Sequence, residues 1–369
     1  MLITNHIKHG PLPGFQGVGQ AMVDTTFRFA DARTQAGFEK LFPGEQPAIH
    51  TLVGLVGNTE SRVSVPQGQT TQDGQTVAWK ALDGTVRVGG QRVSTDMQWP
   101  GLTSAGPEGR ADFGGFRLAG TTLRSGPDDR LGTGDMTFTA DRISFSGEGQ
   151  EASLSGLKVA SQTSQSGGFY DSVLKYSVAG IKVAGADLKN VQLDLGLRHL
   201  DRAALQRLVT VAGQVQSDLK ADPAAEAAGT PELGAAQTRE LEEAGLALLK
   251  GGPRITLDRL SLTQPGGDIV VTGEASAPRL ADLSAEDLQT MTAAPTALLG
   301  LLDLRLQARA PRPALEELAS LGGGEGGDLS RTLQGLVNGG YIREAGDELS
   351  TELKLAGGRL TLNGQALGE

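Results

Sequence analysis

The histidines are the first residues whose type and spacing could do chemistry. His6 and His9 form an H-x-x-H pair, a spacing that would place two metal ligands on one face of a helix. The residues around them are typical of a strand, where these two side chains would face opposite ways. We therefore predict a structural role for both and no metal site. His50 and His199 are isolated in the sequence, and we expect surface or hydrogen-bonded roles for them.

Acidic and glycine-rich segments are the next candidates for ligand-binding loops. Asp128 and Asp129 follow Ser125-Gly126-Pro127, a composition typical of a turn, and they lack the further carboxylates of a calcium loop or an acid–base pair. The glycines of the 14–19 segment do not form the strand-to-helix fingerprint of a dinucleotide site. The Gly322–Gly327 segment contains Glu325, which disfavours anions, and we interpret it as a linker.

The sequence contains no catalytic motif of a known class. Neither G-x-S-x-G nor H-E-x-x-H occurs, and the absence of cysteine excludes disulfides, zinc–thiolate sites and cysteine nucleophiles. We predict no catalytic, cofactor-binding or metal-binding residues, no cofactor and no enzyme activity. A hydrolase is the distant alternative, because catalytic groups meet in space rather than in sequence. A serine or aspartate within hydrogen-bond reach of His50 or His199 would favour it.

Composition narrows the class of protein and partner. The 369 residues include 53 glycines but only ten Phe, three Tyr and two Trp, which indicates many strands joined by tight turns. The net charge of −10 argues against a nucleic-acid partner. No run reaches the ~18 apolar residues of a membrane span, and the best one, 297–302, stops at Asp303. The first residues lack the features of a signal peptide.

Hydrophobic alternation predicts a long antiparallel sheet. Val191, Leu193, Leu195 and Leu197 point one way, while the residues between them are polar or glycine. One apolar and one polar face are typical of an antiparallel sheet that is covered on one side only. A hairpin is predicted at Asp83-Gly84, between strands at 76–82 and 85–88. Further strands are predicted at 22–29, 49–53, 62–65, 91–98, 115–123, 135–145, 152–160, 172–183, 187–197, 254–262, 268–274, 348–355 and 359–362.

Helical periodicity appears in three places. A short helix is predicted at 33–42, and helical insertions are predicted near 201–250 and 280–340, the second of which contains the Gly322–Gly327 linker. Thr230 and Pro231 are the predicted start of one helix in the first insertion. We predict a β-rich α+β fold: one extended domain over 1–369, with a long twisted antiparallel sheet that the late strands rejoin.

Five segments carry a resemblance to a known family. They are the opening Asn5–Pro13 with its H-G-P triplet, the Pro43–Pro47 block, the strands of Ser172–Leu200, the Leu248–Ile255 segment and the final Leu360–Gln365. On these segments the chain resembles the YdgA-like family of bacterial envelope proteins of unknown function. The resemblance implies a periplasmic domain that is tethered to the inner membrane by an N-terminal helix and that self-associates. We expect that anchor to be missing from this chain, so any membrane association would depend on the missing segment.

Two functional hypotheses follow. In the first, a non-enzymatic envelope protein presents an apolar sheet face or groove to lipid, with Phe138, Phe145, Leu193 and Leu195 as the expected lining residues. The alternative is a structural or scaffolding protein in the periplasm that acts through homodimerisation or partner binding. A free edge strand, or an exposed apolar helix at 205–219, would support the alternative. The expected partners are thus lipid or a second copy of the chain, and not nucleic acid.

Overall fold

The computed structural model describes residues 1–15, 17–126, 129–221, 234–284, 300–321 and 326–367. Its strands belong to one open antiparallel sheet, which confirms the predicted β-rich class. The strands are β1 (Leu2–His9), β2 (Ala21–Arg28), β3 (Ala48–Val53), β4 (Thr59–Val65), β5 (Gly68–Gln72), β6 (Gln75–Trp79), β7 (Leu82–Gly89), β8 (Arg92–Gly106), β9 (Gly109–Leu123), β10 (Thr133–Gly147), β11 (Gln150–Ser166), β12 (Phe169–Val183), β13 (Ala186–Asp201), β14 (Arg254–Gln264), β15 (Gly267–Ser276), β16 (Asp303–Pro311), β17 (Arg343–Ala345), β18 (Glu348–Ala356), β19 (Arg359–Leu362) and β20 (Gln365–Ala366).

Five α-helices and two short 3-10 turns complete the described elements. The helices are α1 (Ala32–Leu41), α2 (Arg202–Ala221), α3 (Ala235–Lys250), α4 (Arg312–Leu321) and α5 (Gly326–Asn338). The 3-10 turns are Pro13–Phe15 and Pro278–Asp282. The helix α1 confirms the prediction at 33–42, and α2 and α3 form the predicted insertion near 201–250. Among the described helices, none combines the length and the apolar character that crossing a membrane requires.

The middle of the sheet is a meander of long strands. β6 and β7 pair with β8 in one continuous register, with Trp79 opposite Leu102 and Asp83 opposite Gln98. They therefore act as a single long strand that is interrupted at residues 80–81. In the same manner, β4 pairs with β7 and β5 pairs with β6 in one continuous register. β4 and β5 therefore form another long strand.

Tight two-residue turns join these strands. Asp73 and Gly74, which connect β5 to β6, both have positive φ angles of 51° and 80°. This geometry matches the right-handed twist of the flanking strands and accounts for part of the glycine content. The hairpin predicted at Asp83-Gly84 is wrong, because both residues lie inside β7, paired with β4 and β8. Gly84 makes room there for the side chain of Met97 on the neighbouring strand.

The chain divides into two compact units. The first unit comprises Met1–Pro127, Gly134–Ser161 and Tyr176–Lys189, and the second comprises Asp128–Thr133, Gln162–Lys175 and Asn190–Glu369. The single extended domain over 1–369 stays a prediction.

The second unit contains the helices α2 to α5. Its β14, β15, β16 and β18 pair in sequence, and a hydrophobic cluster of Ala277, Leu280 and Leu301 lies beside the second 3-10 turn. The helices α4 and α5 are consistent with the helical insertion predicted near 280–340, but that prediction missed the strand β16, which lies between β15 and β18. Thr230, Pro231, residues 285–299 of the insertion predicted near 280–340 and residues 322–325 of the predicted linker lie outside the described residues.

Candidate functional site

One face of the first unit's sheet is apolar from β1 to β9. The strand registers align its side chains in rows, such as Ile49 opposite Val63 and Met97 opposite Leu118. On β1 to β4, β7, the Arg92–Trp99 part of β8 and the Phe116–Leu123 part of β9, none of the described positions on this face is Asp, Glu, Lys or Arg. Past Pro100 the same register continues with Thr103 opposite Asp112 and Ala105 opposite Arg110, so the charge-free surface ends there. Its hydrophobic members are Ile3, Ile7, Val23, Phe27, Ile49, Val53, Val63, Val65, Leu82, Val86, Val88, Val93, Met97, Trp99, Phe116 and Leu118. We call this surface the apolar face.

The apolar face is not covered by a conventional core. Each of its hydrophobic side chains is half-buried or exposed, and Ile3 and Ile7 on the outermost strand are 57% and 53% exposed. Among the described residues, the buried apolar side chains of the first unit are Pro13, Met22 and Ala140. Met22 occupies the opposite face, where it packs against the Gly14 loop. Leaving apolar surface exposed to water, rather than burying it, costs ~25 cal/mol of free energy for each Å².

The helix α1 packs at one margin of the first unit through aromatic rings. Phe38 contacts Phe29 at a centroid distance of 5.3 Å, and Phe42 contacts Trp79 at 5.6 Å. Asp31 is the N-cap of the helix, and its carboxylate accepts hydrogen bonds from the Thr34 hydroxyl at 2.7 Å and the Thr34 backbone N–H at 2.8 Å, which lower the pKa of this carboxyl. No residue of α1 is buried, and the strand that α1 contacts is β5, which is not one of the strands of the apolar face.

The opposite face carries the charges. Glu60 accepts hydrogen bonds from Arg87 and Arg62, each at 3.0 Å, and these bonds lower the pKa of its carboxyl. Asp96 is paired with Arg117 at 3.1 Å. Charged and apolar side chains are thus separated onto two faces of one sheet, as the alternation predicts.

An aspartate–histidine pair lies on this charged face. His50 Nδ1 is 2.7 Å from Asp24 Oδ1, and Lys8 Nζ is 2.9 Å from Asp24 Oδ2. His6 is directly opposite Asp24 on β1, whereas His9 faces the other way, as predicted for a strand. The sequence could not pair Asp24 with His50, because their contact depends on the register of β2 and β3.

His199 belongs to a separate group in the second unit. Its ring stacks on Phe169 at 3.6 Å, and Nδ1 donates to the Gly251 carbonyl at 2.9 Å. The nearby Asp171 carboxylate accepts the backbone N–H of His199 at 2.7 Å and does not bind the ring. Over the described part of the chain, neither His50 nor His199 hydrogen-bonds a serine or threonine hydroxyl. Asp24 does lie within hydrogen-bond reach of His50, which meets one of the conditions set for the hydrolase alternative, so the expectation of no enzyme activity stays a prediction.

The remaining sequence candidates have structural surroundings. Asp129 Oδ1 accepts the backbone N–H groups of Leu131 and Gly132, and Oδ2 is paired with Arg202 at 3.0 Å, which confirms the turn interpretation for this residue. Asp128 lies outside the described residues. Within the described ranges, no three or more His, Cys, Asp or Glu side chains come together in a group that could hold a metal ion.

The four predicted lining residues fall in two units. Phe138 is half-buried and stacks on Phe116 at 6.0 Å, so it extends the apolar face onto β10. Phe145 is 50% exposed and meets Phe113 edge-on at 5.3 Å. Leu193 is half-buried and Leu195 is 36% exposed, both in the second unit. That these four side chains line one lipid site stays a prediction.

The backbone hydrogen bonding between strands is interrupted along one row of residues, which crosses the strands where the apolar face ends. The registers place Pro66, Ala81, Pro100 and Gly115 in one row, and the two prolines have no N–H to donate to the ladder. Two indole N–H groups donate to carbonyls near this row. Trp79 Nε1 bonds the Pro66 carbonyl at 2.9 Å, and Trp99 Nε1 bonds the Lys80 carbonyl at 3.0 Å. We call this row the interruption line.

A cavity of about 360 Å³ opens at the interruption line. Its charged lining residues are Lys80, Arg110, Asp112 and Arg142, and Trp79 and Phe113 supply aromatic walls. Arg110 Nε and Nη2 bind Asp112 at 2.7 and 3.0 Å. No sequence motif marks this site, because Arg110 and Arg142 lie on different strands and Lys80 lies between β6 and β7.

Comparison with known proteins gives a family and no characterised relative. A sequence model described as a bacterial protein of unknown function, DUF945, matches residues 1–369. No curated protein and no solved structure matches the chain at a significant level.

Proposed function

This chain belongs to the DUF945 family of bacterial proteins of unknown function, and we propose that it acts without catalysis by binding the acyl chains of lipids along the apolar face. The observation that carries the proposal is the composition and exposure of that face. Its members named above are mostly aliphatic, none of them is charged, and each is half-buried or exposed. Soluble proteins rarely leave such a surface in water unless it has a binding role.

The dimensions of the apolar face favour an acyl chain. Seven strands contribute to it, and at a spacing of ~4.8 Å they span about 29 Å. One leaflet of a bilayer's hydrocarbon core is about 15 Å thick, half of its ~30 Å total. An extended acyl chain is therefore covered along its full length. The charged face on the other side of the same sheet would stay in water.

The residue types also favour lipid over a protein partner. The centres of protein interfaces are enriched in Tyr, Trp, Met and Arg. On the apolar face, Val and Ile predominate, separated by Thr and Ser. The larger rings of Trp99 and Phe116 lie beside the interruption line, and Phe138 stacks on Phe116. Such a surface offers dispersion contacts to methylene groups and few directional contacts to a polypeptide.

The proposal includes the location that the YdgA-like resemblance implies, the periplasm with a tether to the inner membrane. Fractionation of bacteria that carry the natural gene, with an antibody raised against this chain, tests it. Recovery of the protein in the cytosolic fraction would remove the envelope part of the proposal.

Lipid extraction tests the acyl-chain proposal directly. We expect chain purified without detergent to yield bound lipid in organic extracts analysed by mass spectrometry. The substitution Val63→Gln places an amide on the apolar face and should reduce bound lipid severalfold. Its matched control is Ser64→Gln, one residue along the same strand on the opposite face and equally half-buried. Lipid-free protein that also takes up none when incubated with phospholipid would contradict the proposal.

A homodimer is the second candidate function, and the edge strand β1 favours it. β1 pairs with β2, and all eight of its residues are exposed, as at the edge of a sheet. It contains no proline or bulge, the features that commonly protect a sheet edge. If two copies pair antiparallel about Asn5, Ile3 meets Ile7 of the other copy and Lys8 meets Leu2. The apolar face then continues across the dimer without opposing like charges.

Light scattering on the purified chain tests the homodimer. We expect the double substitution Ile3→Lys and Ile7→Lys to convert a dimer to a monomer, since it would place lysines directly opposite one another. The double substitution to Val is the control and should leave the dimer intact. A wild-type monomer at high concentration would count against this candidate without affecting the lipid proposal.

A further inference from the structure

The cavity at the interruption line has an excess of positive charge in an acidic protein. Lys80, Arg110 and Arg142 contribute three positive charges and Asp112 one negative charge, while the whole chain carries −10. At physiological salt the screening length is about 8 Å, so an ion in the cavity responds to these four groups more than to the distant acidic residues.

Two of these three cations form no ion pair with the described residues and can contact a ligand. Arg110 holds Asp112 with two hydrogen bonds, which raises the pKa of the arginine and lowers that of the aspartate. In the part of the chain that the structure describes, Lys80 and Arg142 form no ion pair. The nearby charge of Arg142 also helps to lower the pKa of Asp112. Two exposed cations therefore remain for a ligand.

The backbone of Lys80 is held in place on both sides. Its N–H donates to the Gly101 carbonyl at 2.9 Å, and its carbonyl accepts the indole N–H of Trp99 at 3.0 Å. The position of Gly101 requires glycine, because its φ is 122° and a side chain there would overlap the carbonyl oxygen of Phe113. The base of the Lys80 side chain is thus positioned beside the cavity before any ligand binds.

From these observations we propose that this cavity binds a phosphate group, through Lys80 and Arg142, with Arg110 as a third cation beside them. Arg and Lys together are the usual ligands of phosphate, one as a planar fork and the other as a point charge. Trp79 and Phe113 form the apolar walls. The phosphate can come from a lipid headgroup, in which case this inference rests on the proposed acyl-chain function, or from free phosphate.

Titration with inorganic phosphate tests the cavity independently of lipid. NMR or calorimetry on the full chain at low ionic strength should detect binding that weakens as salt is added. The double substitution Lys80→Gln and Arg142→Gln should weaken it by roughly tenfold. The control, Arg33→Gln with Lys40→Gln on α1, removes the same charge from an exposed site and should change nothing. Asp112→Asn should tighten binding, an effect that a structural role alone would not produce.

A pair of lipids then identifies the source of the phosphate. Dioleoyl phosphatidic acid and dioleoylglycerol, each offered in the same nonionic detergent, differ in the phosphate alone. Preferential retention of the phosphatidic acid, lost in the Lys80/Arg142 double variant, would identify a lipid headgroup. Binding of inorganic phosphate with no retention of either lipid would support the cavity with free phosphate and would contradict the acyl-chain proposal.

Two results would overturn the phosphate site. One is equal retention of both lipids together with no binding of inorganic phosphate, which would leave the acyl-chain proposal standing. The other is phosphate binding that the double variant and its α1 control weaken equally, because the effect would then come from net charge rather than from the cavity.

Discussion

The Asp24 carboxylate binds the His50 ring across two neighbouring strands, with Oδ1 and Nδ1 2.7 Å apart. Lys8 on the other neighbouring strand binds the second oxygen, so one carboxylate joins β1, β2 and β3 on the charged face. Hydrogen bonds from His50 and then Lys8 lower the pKa of Asp24 from its ordinary value of 3.8.

This contact predicts a pH-dependent contribution to stability. A carboxyl whose pKa is lower in the folded state contributes stability above its unfolded pKa, and this contribution is lost as pH falls through the folded pKa. We expect Asp24→Asn to lower the free energy of unfolding at pH 7 by roughly 0.5–1 kcal/mol, since the partners are half-exposed. Urea unfolding should show the difference shrinking below pH 4. Asp187→Asn, at a 4.0 Å exposed pair, is the control. A difference that persists at low pH would contradict this assignment.

The hydrogen bond from the Trp99 indole to the Lys80 carbonyl should contribute to stability and to phosphate binding at the interruption line. Trp99→Phe keeps a ring against Phe116 but removes the hydrogen bond to Lys80, so we expect a loss of about 1 kcal/mol in unfolding free energy and weaker phosphate binding. Phe116→Leu removes the stack and keeps the hydrogen bond. It should reduce stability while leaving phosphate binding unchanged. If both variants weaken phosphate binding equally, the hydrogen bond does not position Lys80.

Two glycines predict opposite changes in stability when replaced by alanine. At Gly101 the φ of 122° and the overlap with the Phe113 carbonyl should make Gly101→Ala cost roughly 2 kcal/mol or more. At Gly37, inside α1, a Cβ meets no atom within 4 Å. We therefore expect Gly37→Ala to stabilise the protein by about 0.5–1 kcal/mol, because alanine loses less backbone entropy in a helix. Thermal unfolding measures both, and a neutral Gly101→Ala would mean that the sheet relaxes freely there.

The ion pair of Asp129 with Arg202 predicts a larger loss in the second unit. The Asp129 side chain is only 7% exposed, so its replacement leaves the arginine facing an uncharged group in a partly desolvated site. We expect Asp129→Asn to lower the free energy of unfolding by about 1–3 kcal/mol. Glu274→Gln breaks a 3.8 Å pair in which both side chains are more than half exposed, and it should cost under about 0.5 kcal/mol. If urea unfolding shows the same loss of unfolding free energy for both variants, the burial of Asp129 does not increase the contribution of its ion pair.

The strands and their two faces were predictable because alternation is a local property. A period of two in residues such as Ile49 and Val53 identifies a half-buried strand without knowledge of its neighbours. Asp83-Gly84 shows the limit of local signals. The dipeptide favours a turn in isolation, but pairing with both β4 and β8 keeps it inside a strand. The strand β16 was missed for the same reason, since its partners β15 and β18 lie far away in the sequence.

The sequence by itself determined a β-rich antiparallel fold, the separation of charged from apolar side chains and the absence of cysteine chemistry, because composition and short-range periodicity carry that information. Only the tertiary structure brought Asp24 to His50 and gathered Lys80, Arg110 and Arg142 around one cavity. The physical reason is register. A shift of one residue between strands would move every side chain to the other face, and the pairing that sets the register is a property of the whole sheet.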